Sequence, residues 1–185
     1  MEDRCALRYP ASMTTPLVLP TMQTQRLTLE PLGLTHSAGM FRLWSEPAVC
    51  RYAGPAADAW GAPIPLPAST PADSDRILDF FVRSAAAADG CRWAMLEVAS
   101  GRFVGAVGFN HLRPTAELAY HLHPDAWGRG LMCEAALAAL GWLTQTSEVR
   151  DVVAHIDPGN VASIRLAERL GLQRTDGDAY RVRLT

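Results

Sequence analysis

The sequence predicts a single α/β domain with a mixed, mostly antiparallel central sheet flanked by helices. The first reason is element order: three consecutive predicted strands precede a region in which strands and helices alternate. The second is a length of 185 residues, which suits one domain with its own core. The third is a content of 49% hydrophobic and 19% charged residues, as in soluble globular proteins. Residues 1–22 show no periodic pattern, so we expect a flexible tail there and the domain over residues 23–185.

The first part of the chain is predicted to contain a strand, a helix and a long loop. Residues 26–32 alternate apolar and polar side chains, as a half-buried strand does. Residues 35–47 carry one apolar helical face, with Thr35 as the cap and Pro47 as the stop. Residues 54–71 contain five prolines and two glycines, which predicts a long loop without regular structure.

The remainder is predicted to form a meander followed by alternating strands and helices. A second helix is predicted over 74–89, with Asp73 or Ser74 as its cap. Two alternating segments about the turn "SG" predict a hairpin, and a third extends it. The last helix is predicted to end at Gly171. The other predicted elements are strands over 91–99, 102–110, 115–124 and 151–157, helices over 130–144 and 160–172, and a hairpin over 173–185.

The charged residues exclude several classes of function. All seventeen basic residues are arginine, since the sequence contains no lysine. A P-loop, a kinase phosphate site and a Schiff-base mechanism each require a lysine amine and are therefore excluded. A net charge of −2 without a basic tract argues against nucleic acid as a partner.

The sequence also lacks the patterns that are typical of a membrane, secreted or metal-binding protein. No apolar stretch reaches the roughly 18 residues of a membrane span, and no signal-peptide pattern occurs. We therefore expect a cytoplasmic protein without a membrane partner, as a monomer or homodimer. His121 and His123 lie two apart but lack a third ligand at suitable spacing, so no metal site is predicted. Reduced thiols are expected for the four scattered cysteines, Cys5, Cys50, Cys91 and Cys133.

Two glycines flank an arginine at the start of a predicted helix, in "AWGRGLMCEAALAALGWL" (126–143). Glycine allows close approach of the backbone to a ligand. A helix N-terminus offers unpaired N–H groups and the positive end of the helix dipole, which favour phosphate oxygens. The alternative is a purely structural turn, and the stretch does not match the dinucleotide fingerprint GxGxxG.

A second feature lies at the start of the last predicted helix. Asn160 and Ser163 are three residues apart and follow a strand end, so both project to one side, toward the carboxyl ends of the sheet. The alternatives are an N-cap for Asn160 and a solvated helix position for Ser163.

Residues 24–184 resemble the GCN5-related N-acetyltransferases, especially the branch that acetylates the N-termini of ribosomal proteins. The segments "TQRLTLEPL", "AELAYHLHPDAWGRGLMCEAA" and "NVASIRLAERLGL" carry this resemblance, in this order and at the expected spacing. The resemblance implies a GNAT-like domain, acetyl-CoA as co-substrate without a metal, and a primary amine as acceptor. The acceptor amine is expected on a protein N-terminus or a small molecule.

The resemblance also implies which residues bind acetyl-CoA. Asn160 would contact the CoA chain, and Ser163 would lie near its sulfur. Leu122 and His123 belong to the same predicted set, with a backbone N–H near Leu122 polarising the thioester carbonyl. The pyrophosphate would bind backbone N–H groups of a segment that we name the phosphate loop, Trp127, Gly128, Arg129, Gly130, Leu131 and Met132.

The sequence departs from the family pattern in two places. Met132 is bulkier than the residue expected at the last position of the phosphate loop. The last helix lacks the tyrosine that many relatives use as general acid, so Ser163 is predicted as its substitute, with Tyr120 behind it.

Glu117 is the predicted general base, because it is an acid within an otherwise apolar strand and would accept the amine proton through water. Its alternative is a partly exposed strand position without a catalytic role. Alternation places Glu117, Ala119 and His121 on one face. His121 is the next candidate base, followed by His111 and His155.

The sequence therefore predicts an acetyl-CoA-dependent N-acetyltransferase that transfers the acetyl group directly within a ternary complex. Direct transfer needs no enzyme nucleophile, and no nucleophile motif occurs. The alternatives are a catalytically silent CoA-binding module of the same fold and a structural α/β domain without a ligand.

Overall fold

The computed structural model describes residues 17–185, and within them the main helices and strands follow the predicted order. Short 3₁₀ turns span Leu34–His36 and Pro124–Ala126. The helices are α1 (Ser37–Trp44), α2 (Pro47–Cys50), α3 (Pro71–Ala86), α4 (Leu131–Thr146) and α5 (Val161–Arg169). The strands are β1 (Met22–Gln23), β2 (Leu27–Pro31), β3 (Ala56–Ala57), β4 (Pro63–Ile64), β5 (Cys91–Glu97), β6 (Phe103–Phe109), β7 (Ala116–Leu122), β8 (Asp151–His155), β9 (Gln173–Arg174) and β10 (Ala179–Arg183).

Eight strands form one sheet in the order β1-β2-β5-β6-β7-β8-β10-β9. All neighbouring pairs are antiparallel except β7 and β8, which run parallel. The predicted fold class, a mixed and mostly antiparallel sheet flanked by helices, is confirmed. The single parallel pair separates the antiparallel meander from the C-terminal hairpin.

Both faces of the sheet centre are buried. Trp93 and Ala94 are neighbours in β5, and alternation sends them to opposite faces. Trp93 belongs to the larger core cluster with α4, where its ring lies 4.9 Å from that of Trp142. Ala94 belongs to the smaller cluster beneath α1 and α3. Burial on both faces explains the nearly continuous apolar sequence of β5 and β6.

The sequence prediction was wrong about the proline-rich segment 54–71. Strands β3 and β4 pair within it, with Ala56 opposite Ile64 and Ala57 opposite Pro63. A two-stranded sheet has only edge strands, where the missing proline N–H leaves no ladder position empty.

Two helix starts also differ from the prediction. Helix α3 is capped by Thr70, not by Asp73 or Ser74: the Thr70 hydroxyl accepts from the Asp73 N–H, and the Asp73 carboxylate accepts from the Thr70 N–H. Thr35 lies inside a 3₁₀ turn and does not cap α1. Pro47 does stop α1 but also occupies the first position of α2, where proline is favoured.

The end of α5 is as predicted. Gly171 has a φ of +85°, and its N–H donates to the Glu168 oxygen while the Leu172 N–H donates to the Ala167 oxygen. These two bonds form a Schellman cap, which needs a left-handed residue at this position.

The predicted tail and the cysteines fall partly outside the described residues. Of the tail, residues 17–22 are described: Leu17, Leu19 and Met22 pack against the larger cluster, and Trp93 Nε1 donates to the Pro20 oxygen at 2.9 Å. Cys5 lies outside, and the three cysteines within residues 17–185 are free thiols. Across that same range, no helix is both long and apolar enough to cross a bilayer.

Candidate active site

Strands β7 and β8 separate soon after they begin to pair. Only two positions are in register, Ala116 with Val152 and Glu117 with Val153. Beyond Glu117, the five remaining residues of β7 have no register partner in β8. The sheet therefore opens along the carboxyl half of β7.

The opened edge of β7 carries backbone groups that face away from β6. The backbone oxygen of Glu117 accepts from the backbone N–H of Asn110 at 2.8 Å, and the backbone N–H of His123 donates to the Val104 oxygen at 2.8 Å, so Glu117 and His123 face β6. Alternate residues of an antiparallel strand direct their backbone groups to opposite sides, so those of Tyr120 and Leu122 point toward the opening. The Trp127 indole N–H donates to the Leu122 oxygen at 2.7 Å, which agrees with this direction.

The phosphate loop joins this opening to α4. The Trp127 N–H is engaged, because it donates to the Pro124 oxygen at 3.0 Å. The N–H groups of residues 128–132 have no partner in the part of the chain that the structure describes. Gly128 and Gly130 have φ values of +71° and +72°, which is why glycine occupies both positions. Five successive backbone donors thus stand at the start of a 16-residue helix.

The last two side chains of the phosphate loop point into the core rather than toward those donors. Leu131 is fully buried and Met132 is 7% exposed, and both belong to the larger cluster. The bulk of Met132 therefore fills the core and does not cover the loop backbone.

Arg129 does not project freely from the loop. Its Nη2 lies 2.7 Å from Glu97 Oε1, and this hydrogen bond, together with Arg102, keeps the pKa of the Glu97 carboxyl below its ordinary value. The Arg129 side chain is thus bound to the end of β5, while its backbone remains part of the loop.

Glu117 is held by a polar chain that crosses three strands. Asn110, directly after β6, donates from Nδ2 to Glu117 Oε1 at 2.8 Å. Its Oδ1 accepts from Arg92 Nη2 in β5, and Arg92 Nη1 also donates to the Cys91 oxygen at 3.1 Å. Burial lowers the pKa of Arg92 to about 10, so the guanidinium remains a cation at neutral pH. One carboxylate oxygen is fixed, and Oε2 has no partner among the described residues.

His121 lies on the same face as Glu117 but has a different environment. Its ring centroid is 4.4 Å from that of Trp44. Burial, with the nearby charge of Arg92, lowers the pKa of His121 to about 3. A ring with this pKa is a poor proton acceptor at neutral pH, which disfavours His121 as the base.

Tyr120 and Ser163 meet across the opening from β7 and α5. Burial raises the pKa of the Tyr120 phenol, and an interaction with the Ser163 side chain partly offsets this rise. Asn160 caps α5, since its Oδ1 accepts from the Ser163 N–H at 3.2 Å. The N-cap that was the alternative for Asn160 is thus observed, and it places Ser163 on the first turn of α5.

The remaining histidines are engaged with charged neighbours. His123 Nδ1 lies 3.1 Å from Arg42 Nη2 and 3.5 Å from Asp125 Oδ2. His111 and His155 are exposed and paired with aspartates. Within residues 17–185, no three histidine, cysteine or acidic side chains are grouped as metal ligands.

Sequence reasoning overlooked four residues around the site. Arg92 carried the same signal as Glu117, a charge within an apolar strand, and could have been found in that way. Asn110, Arg26 and Glu134 could not, because their roles depend on contacts between distant or separate elements.

A family model and a curated relative each match most of the chain. A family model described as an acetyltransferase (GNAT) domain matches residues 26–173. An uncharacterised N-acetyltransferase, p20 of Bacillus licheniformis, is 22% identical over 159 residues, which cover 84% of each chain.

Two solved structures share the fold. A provisionally named ribosomal-protein-serine acetyltransferase from Vibrio cholerae matches with a TM-score of 0.73 and 18% identity, over 92% of this chain and 99% of that one. A spermidine N-acetyltransferase from Vibrio cholerae, solved with CoA and spermine, matches with a TM-score of 0.67 and 15% identity, over 85% and 94% of the chains. The chain therefore belongs to the GNAT acetyltransferases, a family of acyltransferases that use acetyl-CoA.

Proposed function

We propose that the chain is an N-acetyltransferase that moves the acetyl group of acetyl-CoA directly to a primary amine. The observation that carries this proposal is the opening between β7 and β8. It has free backbone donors at one end, Glu117 on one face of β7, and the Tyr120–Ser163 pair on the other side. Such an arrangement suits a thioester that lies between a proton acceptor and a proton donor.

The pyrophosphate of acetyl-CoA is proposed to bind the free N–H groups of Gly128–Met132. Five donors at a helix N-terminus favour an anion through hydrogen bonding and the helix dipole. The pantetheine arm would then extend along the open edge of β7. There, the Leu122 N–H is a donor for the thioester carbonyl oxygen.

In the proposed reaction, the neutral amine nitrogen attacks the thioester carbonyl carbon. The new C–N bond forms as the C–S bond breaks, and CoA leaves as a thiolate. Glu117 accepts the amine proton through a water molecule. Ser163 passes its hydroxyl proton to the thiolate sulfur while it takes one from the Tyr120 phenol, and solvent then restores the Tyr120 proton and removes the proton on Glu117. The pKa of the Tyr120 phenol lies above its ordinary value because of burial, so the group is protonated at neutral pH.

The acceptor is proposed to be an α-amino group of a protein or a small-molecule amine. An α-amino group with a pKa of about 8 is partly neutral at physiological pH and needs only a weak base. The two structural neighbours are named for one acceptor of each kind, a ribosomal protein and spermidine. At 18% and 15% identity, these neighbours do not favour one acceptor over the other.

The test is CoA-thiol release from acetyl-CoA with a panel of N-terminal peptides and polyamines. For the best acceptor, Glu117→Gln should lower kcat by about 100-fold or more without raising the KM for acetyl-CoA, because the change removes the base and keeps the volume. Ser163→Ala should lower kcat by about tenfold, since Tyr120 remains nearby.

The matched control is Glu148→Gln, which makes the same change at an exposed acid outside the site and should leave kcat unaltered. Unchanged turnover in both Glu117→Gln and Ser163→Ala would overturn the assigned roles. Acetyl-CoA binding without thiol release on any amine would instead support the catalytically silent module.

A further inference from the structure

Arg26 reaches the phosphate loop from a distant part of the chain. It directly precedes β2, and its Nη1 donates to the backbone oxygen of Arg129 at 2.7 Å, across 103 positions in sequence. Its Nε and Nη2 each lie 2.7 Å from Glu134 Oε2, and its backbone N–H donates to Glu134 Oε1 at 2.8 Å. One side chain therefore ties the loop to the first turn of α4.

The bond to Arg129 fixes the orientation of one peptide group in the loop. In a trans peptide, the carbonyl oxygen of one residue and the N–H of the next point in opposite directions. With the Arg129 oxygen held toward Arg26, the Gly130 N–H points away from the guanidinium. This peptide joins Arg129 to Gly130, which has a left-handed φ of +72° and no side chain, so few steric contacts on the glycine side oppose its rotation. A rotated peptide would present an oxygen, not an N–H, to an anion.

The bonds to Glu134 remove a competing negative charge. Glu134 lies in the first turn of α4, where a free carboxylate would compete with a phosphate for the same backbone donors and repel it. Thr24 Oγ1 donates to its Oε1 at 2.6 Å. Burial raises the pKa of this carboxyl, but hydrogen bonds from Thr24 and Arg26 outweigh burial and bring the pKa below its ordinary value. The carboxylate thus stays charged and bound to Arg26.

We infer that Arg26 is a positioning residue for the pyrophosphate of acetyl-CoA, although it does not itself touch the donor. It sets the Gly130 N–H toward the phosphate, and its positive charge offsets the negative charge of the Glu134 carboxylate nearby. This inference rests on the proposed acetyl-CoA site. It adds that the affinity for the pyrophosphate depends on a side chain 103 positions upstream of Arg129.

The test compares acetyl-CoA with S-acetylpantetheine, which has the same thioester and pantetheine arm but lacks the pyrophosphate. Arg26→Ala should lower kcat/KM for acetyl-CoA by about tenfold through KM, the size of one charged hydrogen bond. The kcat/KM for S-acetylpantetheine should stay within about twofold of wild type. Arg26→Lys, whose ammonium lacks the fork that binds both partners, should lower the acetyl-CoA value less.

The matched control is Arg83→Ala, which removes another arginine bound to a carboxylate at 2.7 Å, at an exposed position of α3. This variant should leave kcat/KM unchanged for both acetyl-CoA and S-acetylpantetheine. Equal losses for both donors in Arg26→Ala would indicate a general structural role and overturn the inference, as would no loss for either. The ratio of the two kcat/KM values is measured on the same folded enzyme, so a lower stability of the variant does not alter this ratio. If the wild type does not prefer acetyl-CoA over S-acetylpantetheine, the proposed phosphate site itself fails.

Discussion

At the scale of single residues, the surroundings of β7 separate two side chains that the sequence pattern treats alike. Glu117 and His121 lie on one face, four positions apart. Glu117 keeps a polar partner in Asn110, whereas His121 packs on the Trp44 ring beside a buried cation. A carboxylate with a free oxygen can take a proton, while a buried ring with a pKa near 3 stays neutral. The face therefore contains one candidate base and one neutral aromatic wall.

The buried state of His121 predicts how stability depends on pH. Its folded-state pKa of about 3 lies below the ordinary value of 6.5, so between these values the unfolded chain binds more protons. Stability is therefore fully present above pH 6.5 and is lost as the pH falls toward 3. Between pH 7.5 and pH 5, the free energy of unfolding should fall by about 2 kcal/mol through this residue alone.

Urea unfolding of wild type and His121→Gln at these two pH values measures this contribution. Between these two pH values, the free energy of unfolding should fall by about 2 kcal/mol less in His121→Gln than in wild type. His155→Gln is the control, because His155 is exposed and bound to Asp178. An identical pH dependence in wild type and His121→Gln would show that His121 is not buried as a neutral ring.

At the scale of elements, Arg92, Asn110 and Glu117 connect β5, β6 and β7 on the face covered by α1 and α3. The guanidinium also lies 4.7 Å from the centre of the Phe81 ring of α3. A cation that is 3% exposed is tolerated only because hydrogen bonds and an aromatic face surround it. These hydrogen bonds from Arg92 through Asn110 to Glu117 couple the position of Glu117 to the packing of the sheet.

Asn110→Ala removes the link between the other two residues. It should lower the free energy of unfolding by about 2 kcal/mol, because it leaves a buried charge with fewer partners. It should also lower kcat, because Glu117 loses the bond that orients it. Chemical unfolding and thiol release measure the two effects. Asp79→Ala, which removes the exposed ion pair with Arg83, should cost no more than about 0.5 kcal/mol. If Asn110→Ala destabilised the protein no more than Asp79→Ala does, the hydrogen bonds through Asn110 would have no structural role.

The sequence predicted those elements whose signals are local. Alternation of apolar and polar residues predicted β5, β6 and β7, the apolar stretch after Gly130 predicted α4, and Gly171 marked the end of α5 through its backbone conformation. The cap of α3 was missed although Thr70 and Asp73 stand at capping-box spacing, so this error was avoidable. The bond between Arg26 and Glu134 was not predictable, because 108 positions separate the two residues and only the folded sheet brings them together.

At the scale of the molecule, the sheet consists of two parts that meet at two register positions. The meander with α1 and α3 lies on one side, and β8, β9 and β10 lie on the other. The hydroxyl of Tyr52, which follows α2, donates to the backbone oxygen of Gly159, which precedes α5, at 3.0 Å. This contact links the two parts across the opening. Acetyl-CoA, as the proposed acetyl donor, would supply hydrogen-bond partners for the open edge of β7 between these two parts.

Amide hydrogen exchange along β7 tests this arrangement in the whole protein. The amides of Tyr120 and Leu122 face the opening, whereas those of Ala119 and His121 face β6. Without ligand, the first pair should exchange faster, because no strand covers that edge. Saturating acetyl-CoA should slow the first pair by about tenfold or more and leave the second pair little changed, since the pantetheine arm would provide partners on one side only. Equal slowing of all four amides would indicate general stabilisation. No slowing at Tyr120 and Leu122 under saturation would mean that acetyl-CoA does not lie along β7.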